Sequence, residues 1–416
     1  MRRPRTATVV VSSLVLGASG MLTATAGTAA ASPARTTRPE RSAPVARPPF
    51  RVKVIGRLPD GKPQLSSSGP TGLSPSAIQS VYNLSGLSPT SGAGAGQVIA
   101  IVDAYHDPNA LSDLNTFNSE YGYPKLSSCT ASQTTACFTQ ADPQGKPKTN
   151  SGWALEESLD IEWAHAEAPA ARLVLVEAAS SSLTNLFDAV SYANSIGATE
   201  VSMSFGGSES SSELSYDADL THAGTLYTAS AGDSGHGAEY PAASPDVIAV
   251  GGTTLNGCSG TSCAGFKSET TWSSSGGGIS SYESIPAYQS SYSGAVYGAA
   301  TIAALTGSAR GIPDVSFDAN PNTGVSIYDS TRYDGQAGWF TVGGTSVGAP
   351  NWAGLLAAGR AAGQKVLEGN AAIYSGGYTT NLRDITSGTN GSCGTDCTAG
   401  AGYDLVTGLG SPINYP

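Results

Sequence analysis

Ser346 stands in the run Gly343-Gly-Thr-Ser-Val-Gly-Ala-Pro350, after a glycine turn and before a stretch that reads as a helix with Pro350 in its first turn. A hydroxyl at a helix N-terminus sits in a field that favours developing negative charge, and it becomes a nucleophile once a base takes its proton. An isolated Gly-Thr-Ser would read as an ordinary N-cap, but the eight-residue pattern favours the nucleophile. Histidine is the base in the familiar triad, yet the sequence places its four histidines poorly. His106 follows the first strand, His165 and His222 come late in helices, and His236 lies in a Gly-rich turn. Each reads as a surface or capping residue.

Carboxylates offer another base. Over 154–167, Leu155, Leu159 and Trp163 form an apolar stripe, and Glu156 and Asp160 stand four residues apart beside it. Like charges at that spacing cost a few tenths of a kcal/mol, so the pair is expected to share a proton. Glu157 and Glu162 read as the solvated face. A further acid, Asp233, lies in Ala229-Ser-Ala-Gly-Asp-Ser-Gly235 after a predicted strand, where a protonated carboxyl could donate a hydrogen bond near the nucleophile. Gly-Asp-Ser-Gly also resembles the nucleophile loop of chymotrypsin-like proteases, with Ser234 attacking. That reading fails for want of an upstream Ala-Ala-His-Cys segment and an all-β double barrel.

The elements that must position these groups follow from short apolar runs at 98–103, 172–177, 200–205, 226–229 and 246–250, of the kind buried on both faces. Helical patterns near 154–167, 182–195 and 211–222 lie between them. The alternation predicts an α/β fold, a mainly parallel sheet with right-handed crossovers and helices on both faces, and function at the carboxyl ends of strands. The Gly- and Ser-rich stretch 256–345 predicts loops and short strands, and a last helix is expected from about Val347 to Arg360.

Together these segments resemble the sedolisin family, serine-carboxyl peptidases on a subtilisin-like fold, from about Leu73 to Pro412. Glu269-Thr-Thr-Trp-Ser-Ser-Ser-Gly-Gly-Gly278, Tyr288-Gln289 and Arg310-Gly-Ile-Pro-Asp-Val315 add to the likeness. The resemblance implies a three-layer sandwich, with Ser346 as nucleophile, Glu156 as general base and acid, Asp160 orienting Glu156, and Asp233 in the oxyanion hole. Asp103 falls where the family often has an additional acid. It also implies one structural Ca²⁺, held by the carboxylates of Asp384 and Asp404 and the carbonyls of Ile385, Gly400 and Gly402; hard oxygen donors suit that ion. Two features depart from the family. Only some 40 residues separate the predicted signal peptide from the catalytic region, where a large prodomain is usual, and Phe205 stands where Trp is frequent.

Composition bounds the rest. The chain has 416 residues, 13% charged, and a net charge of -11. Residues 1–62 carry 11 Lys or Arg and two acids, leaving 10 bases against 30 acids in the remainder. Such a body repels nucleic acid and anionic membrane and suits an acidic medium. Arg2, Arg3 and Arg5, an apolar run from Val9 to Leu16 and Ala29-Ala30-Ala31 predict a signal peptide over 1–31, the run being far short of the roughly 20 residues that span a bilayer. A Pro/Ser/Arg-rich linker or short pro-segment is expected over 32–72, and the peptidase domain over 73–416. Export makes disulfides of the six cysteines, with local pairs Cys129–Cys137, Cys258–Cys263 and Cys393–Cys397 expected among the possible connectivities. The expectation is thus a secreted, extracellular, monomeric endopeptidase acting on polypeptides. A tripeptidyl exopeptidase and an inactive secreted binding protein on the same scaffold are the alternatives.

Overall fold

Ile99 to Val102 and Leu173 to Val176 are wholly buried along their length, as expected for strands covered on two sides. In the computed structural model they lie in an eight-stranded sheet. Its order is Ser268–Thr271, Ile248–Asn256, Leu226–Ser230, Glu200–Met203, Val98–Ala104, Arg172–Ala178 and Cys137–Ala141, with Val315–Asp318 also paired to Ile248–Asn256. Ser268–Thr271 pairs antiparallel and the other strands pair parallel. The structure describes residues 44–416 apart from 85, 131, 132, 134, 365–368, 376–378, 415 and 416. The predicted signal peptide lies outside the described residues.

Side chains alternate across a strand, and the alternation sets the layers. Ala100, Val102, Val174 and Val176 pack with Leu186, Phe187 and Val190 of the helix Leu183–Ser195 on one face. Ile99, Ile101, Leu173 and Leu175 face the other way, toward Leu114 of Ala110–Tyr121, Ile161 of Ser151–Glu167 and Ala353 of Gly348–Ala361. The expected three-layer sandwich is therefore observed.

The helix Ser151–Glu167 begins where Asn150 accepts hydrogen bonds from the amides of Gly152 (3.0 Å) and Trp153 (3.2 Å), satisfying donors that a helix start leaves open. Pro169 follows its end. Every residue from Trp153 to Glu167 is buried, Glu157 and Glu162 included, so no solvated acidic face exists. The sequence reading misjudged this because a second sheet covers that side: Glu162 accepts from the Tyr328 amide on Val325–Tyr333. His165 is wholly buried and His106 nearly so, against the expectation of surface positions.

Two further expectations are corrected. The helix expected at 211–222 is a pair of 3₁₀ turns, Glu213–Ser215 and Asp217–Leu220, which the Ser-rich sequence does not extend into a regular helix. Within 256–345, Val325–Tyr333 and Gln336–Gly343 form a long antiparallel hairpin. Part of the stretch expected as a linker or pro-segment also joins this hairpin sheet, Arg51–Val52 pairing with Val342 and Gly343 and Ser66–Ser67 with Trp339 and Phe340. The last helix occupies Gly348–Ala361, within a residue of the expected bounds. The three disulfides join the local pairs anticipated. Among the described residues no helix is long and apolar enough to cross a membrane.

Candidate active site

The strand Gln336–Gly343 ends at Gly344, whose φ of +116° suits glycine. The chain then makes the turn Thr345–Val347 and enters the helix Gly348–Ala361, which leaves Ser346 at the junction. Gly344 serves close approach as well as the turn: a Cβ there would lie 2.7 Å from Asp233 Oδ2. Asp233 follows the strand Leu226–Ser230 at its carboxyl end. The strand-end placement anticipated for it is the one observed.

Thr345 orients Asp233. Its amide donates to Asp233 Oδ1 at 2.8 Å and its hydroxyl, which accepts from the Gly232 amide at 3.0 Å, lies 3.0 Å from the same oxygen. Asp233 Oδ2 is buried and has no hydrogen-bond partner among the described residues. Burial pushes the carboxyl up to about 7, against the stabilising hydrogen bonds from Thr345 and the charge of Arg51. Below that value it is a neutral acid with a proton to donate.

Glu156 and Asp160 project from the buried helix toward the Ser346 junction. Ser204, just past the strand Glu200–Met203, donates to Asp160 Oδ1 at 2.9 Å and lies 3.4 Å from the Ser346 carbonyl oxygen. Burial raises the Glu156 carboxyl well above its ordinary range, with the charges of Asp160 and Asp233 acting in the same direction and the neighbouring Ser346 and Ser204 hydroxyls opposing. Asp160 is raised chiefly by burial. Asp103, at its strand's carboxyl end, is raised by burial and then by Asp160 and Glu156. Among the described residues no ion pair reaches these three acids. Three buried carboxyls in mutual repulsion cannot all ionise, so the cluster holds protons between them.

Thr345 and Ser204 were not singled out from sequence. Thr345 lies within the nucleophile motif and could have been found there; Ser204 has no local signal, because only the sheet order brings it to Asp160. A second acidic layer was also missed. Glu157 is raised by burial and by Glu177 and Asp103, while Glu177 accepts from the Asp107 amide at 2.9 Å and pairs with His106 Nδ1 at 2.7 Å.

At the C-terminal end, Asp384 Oδ2 accepts from the Gly402 amide and Asp404 Oδ2 from the Gly400 amide, both at 2.9 Å. Asp404 and Ile385 are buried. Gly402 has φ +87°, and a Cβ on it would lie 2.2 Å from Ala295 O. The five expected ligand residues thus share one tight loop cluster, and no ion pair neutralises either carboxylate among the described residues. An all-oxygen donor set of this kind fits a hard divalent cation.

A serine at a helix start, faced by buried carboxyls on a subtilisin-like sandwich, defines a serine-carboxyl type of site. No family model matches the chain. It is 32% identical to kumamolisin of Bacillus sp. (strain MN-32), over 89% of this chain and 67% of that protein. It is 28% identical to sedolisin of Pseudomonas sp. (strain 101), over 83% of this chain and 61% of that protein. A solved structure of Pseudomonas sedolisin, a serine-carboxyl proteinase complexed with two molecules of pseudo-iodotyrostatin, superposes with a TM-score of 0.65, covering 83% of this chain and 96% of that one. The chain belongs to the sedolisin family. It spans about three-fifths of the length of sedolisin itself.

Proposed function

We propose that the protein is a secreted, acid-active endopeptidase of the serine-carboxyl type. The observation that carries this reading is the convergence of Ser346, Glu156, Asp160 and Asp233 from three distant segments on one buried junction. Glu156 takes the proton of Ser346 as Oγ attacks a peptide carbonyl, and returns it to the leaving amine. Asp160, held by Ser204, shares a proton with Glu156 and fixes its orientation. Asp233, protonated, donates through Oδ2 to the oxyanion, together with the Ser346 amide. A carboxylate base is usable in acid, where an imidazole would be protonated. The raised carboxyl of Asp233 places the upper limit of activity near neutrality.

The five residues Asp384, Ile385, Gly400, Gly402 and Asp404 would hold Ca²⁺. The ion would cross-link the loops that carry Asp384 and Asp404, a structural role. Secretion rests on the N-terminal sequence pattern and accords with three disulfides. An open cleft supports endopeptidase over exopeptidase action, since residues 44–53 of the chain itself pass Ser346 on both sides.

The test is digestion of a denatured protein at about pH 3–4. Ser346→Ala and Glu156→Ala each abolish it; a purified Ser346→Ala protein with wild-type turnover overturns the reading.

A further inference from the structure

The strands Val98–Ala104, Arg172–Ala178 and Cys137–Ala141 are neighbours in the sheet, and their carboxyl ends bring an imidazole and two carboxyls together. Glu177 lies opposite Asp103 on one neighbour, and Asp142 follows Ala141, which lies opposite Val176 on the other. His106 comes just past the first of these strands, after Tyr105 with φ of +72°. The donor atoms of His106, Asp142 and Glu177 all lie within 4.8 Å of one another.

Glu177 is fixed in place by its neighbours. Its Oε1 accepts from the Asp107 amide at 2.9 Å and from Gln140 Nε2 at 2.6 Å, while Oε2 meets His106 Nδ1 at 2.7 Å. Gln140 is itself held, since Nε2 also donates to Asp107 O at 2.7 Å. At 2.7 Å a proton lies between imidazole and carboxyl, whichever of them carries it. Outer partners of this kind orient the ligands of a metal.

Other polar atoms here are left unsatisfied. Among the described residues, His106 Nε2, Asp142 Oδ1 and both oxygens of Glu157 are buried without a hydrogen-bond partner. Glu157 is wholly buried on the helix that covers this face, and after burial itself the charge of Glu177 does most to raise its carboxyl, so an unpaired acid is aimed at the strand ends. Among the described residues no Lys or Arg pairs with Asp142, Glu157 or Glu177. After burial, the charge of Lys146 acts on His106, one base against three carboxyls. A buried polar group without a partner costs about 1–3 kcal/mol, more when it is charged. A cation would relieve the whole group at once.

We propose that His106, Asp142 and Glu177 bind one divalent transition-metal ion, distinct from the Ca²⁺ proposed for the C-terminal loops. One imidazole nitrogen and two carboxylates suit a zinc-type ion, whereas Ca²⁺ takes oxygen donors and more of them. The ion takes the place of the proton between His106 Nδ1 and Glu177 Oε2, and that proton goes to solvent. Bonds of about 2.0–2.2 Å draw tetrahedral donors to roughly 3.4 Å from one another, a closure the partly exposed Asp142 can make by turning its side chain. Water fills the fourth position. The ion pins three strand ends together, and its binding is independent of the role proposed for Ser346.

The experiment titrates the full chain, as Ser346→Ala to prevent autolysis, with Zn²⁺ in millimolar Ca²⁺ at about pH 7.5, where an ordinary imidazole is neutral. Calorimetry in buffers of different ionisation heat should give one Zn²⁺ per chain and at least one proton released per ion. Co²⁺ in place of Zn²⁺ should show the visible absorption of a four-coordinate ion. Asp142→Asn and His106→Gln each weaken binding at least about tenfold, and thermal unfolding without metal checks that both are folded. His236→Gln leaves binding unchanged, because its neighbours Cys393 and Cys397 are joined as a disulfide and offer no thiolate. No saturable binding, binding without proton release, affinity untouched in folded Asp142→Asn or His106→Gln, or affinity lost in His236→Gln overturns the proposal.

Discussion

Thr345 grips one oxygen of Asp233 with two groups, its amide at 2.8 Å and its hydroxyl at 3.0 Å, and the other oxygen has no partner among the described residues. The residue before Ser346 thereby aims the carboxyl proposed to meet the oxyanion. Thr345→Val keeps the shape and removes the hydroxyl. We expect kcat to fall about ten- to a hundredfold with KM little changed, and Thr345→Ser to keep most of the activity. Steady-state kinetics on a quenched peptide check this, and a KM effect with intact kcat would contradict it.

Asp233 is pushed up to about 7 by burial, so its donor proton is present in acid and lost toward neutrality. Asp233→Asn offers Oδ1 to Thr345 and an amide donor in place of the carboxyl proton at every pH. The alkaline limb of kcat should therefore move upward in Asp233→Asn, while Asp233→Ala loses about 10²–10³ in rate. An unmoved limb in the asparagine variant would remove Asp233 as the group that sets it.

Stability should fall as pH rises. Burial lifts Glu167 and Asp329 to about 8 and Glu200 to about 7, from ordinary values of 4.5, 3.8 and 4.5. The folded chain then binds more protons than the unfolded one between those limits. Its advantage is complete below about pH 4 and disappears as pH passes 7–8. His165, lowered to about 4 by burial, works the other way between its ordinary 6.5 and 4, but it is one group against several. Thermal unfolding of Ser346→Ala, which avoids autolysis, should show a higher Tm at pH 4 than at pH 8; the reverse order would refute this account.

Gly354 lies where the helices Ser151–Glu167 and Gly348–Ala361 touch. A Cβ there would stand 2.7 Å from Glu167 Cβ and 3.0 Å from Ala164 O. Gly354→Ala should destabilise by about 1–3 kcal/mol, outweighing the ~1 kcal/mol gained in helix propensity. A lower denaturant midpoint with unchanged slope is the expected readout.

Chelation of the proposed Ca²⁺ should lower Tm by several degrees, since an ion at a hundred times its Kd contributes about 2.7 kcal/mol. Asp384→Ala should remove the chelator's effect. A wild-type Tm indifferent to chelator and to added Ca²⁺ would argue against the site.

The sheet and most helices were legible because buried parallel strands leave continuous apolar runs, as at Ile99–Val102. The proposed reacting groups could be singled out because they sit in local motifs, Gly-Thr-Ser and the four-residue spacing of Glu156 and Asp160. What could not be read was what covers a face. Glu157 and Glu162 look solvent-directed on their own helix, but Glu162 is covered by the sheet containing Tyr328 and Glu157 lies among Glu177, Asp103 and Asp107. Ser204 acquires its role through sheet order, which no local pattern records. The 3₁₀ turns near 213–220 have the apolar spacing of a helix but too many serines to sustain one. Likewise, residues 44–53 carry no strand periodicity; their conformation is imposed by the edges they join.

The wholly buried helix Ser151–Glu167 carries both Glu156 and Asp160. An acid–base pair mounted on a loop could fray while the rest of the molecule stayed folded, but the pair proposed here is fastened to a helix buried from Trp153 to Glu167. Heating should therefore not produce a folded, disarmed enzyme: catalytic competence and the global fold should vanish in one transition. In the proposed enzyme the strand edges at Gly206 and Gly343 would receive the peptide, so tolerance for different substrates can vary while Glu156 and Asp160 stay fixed.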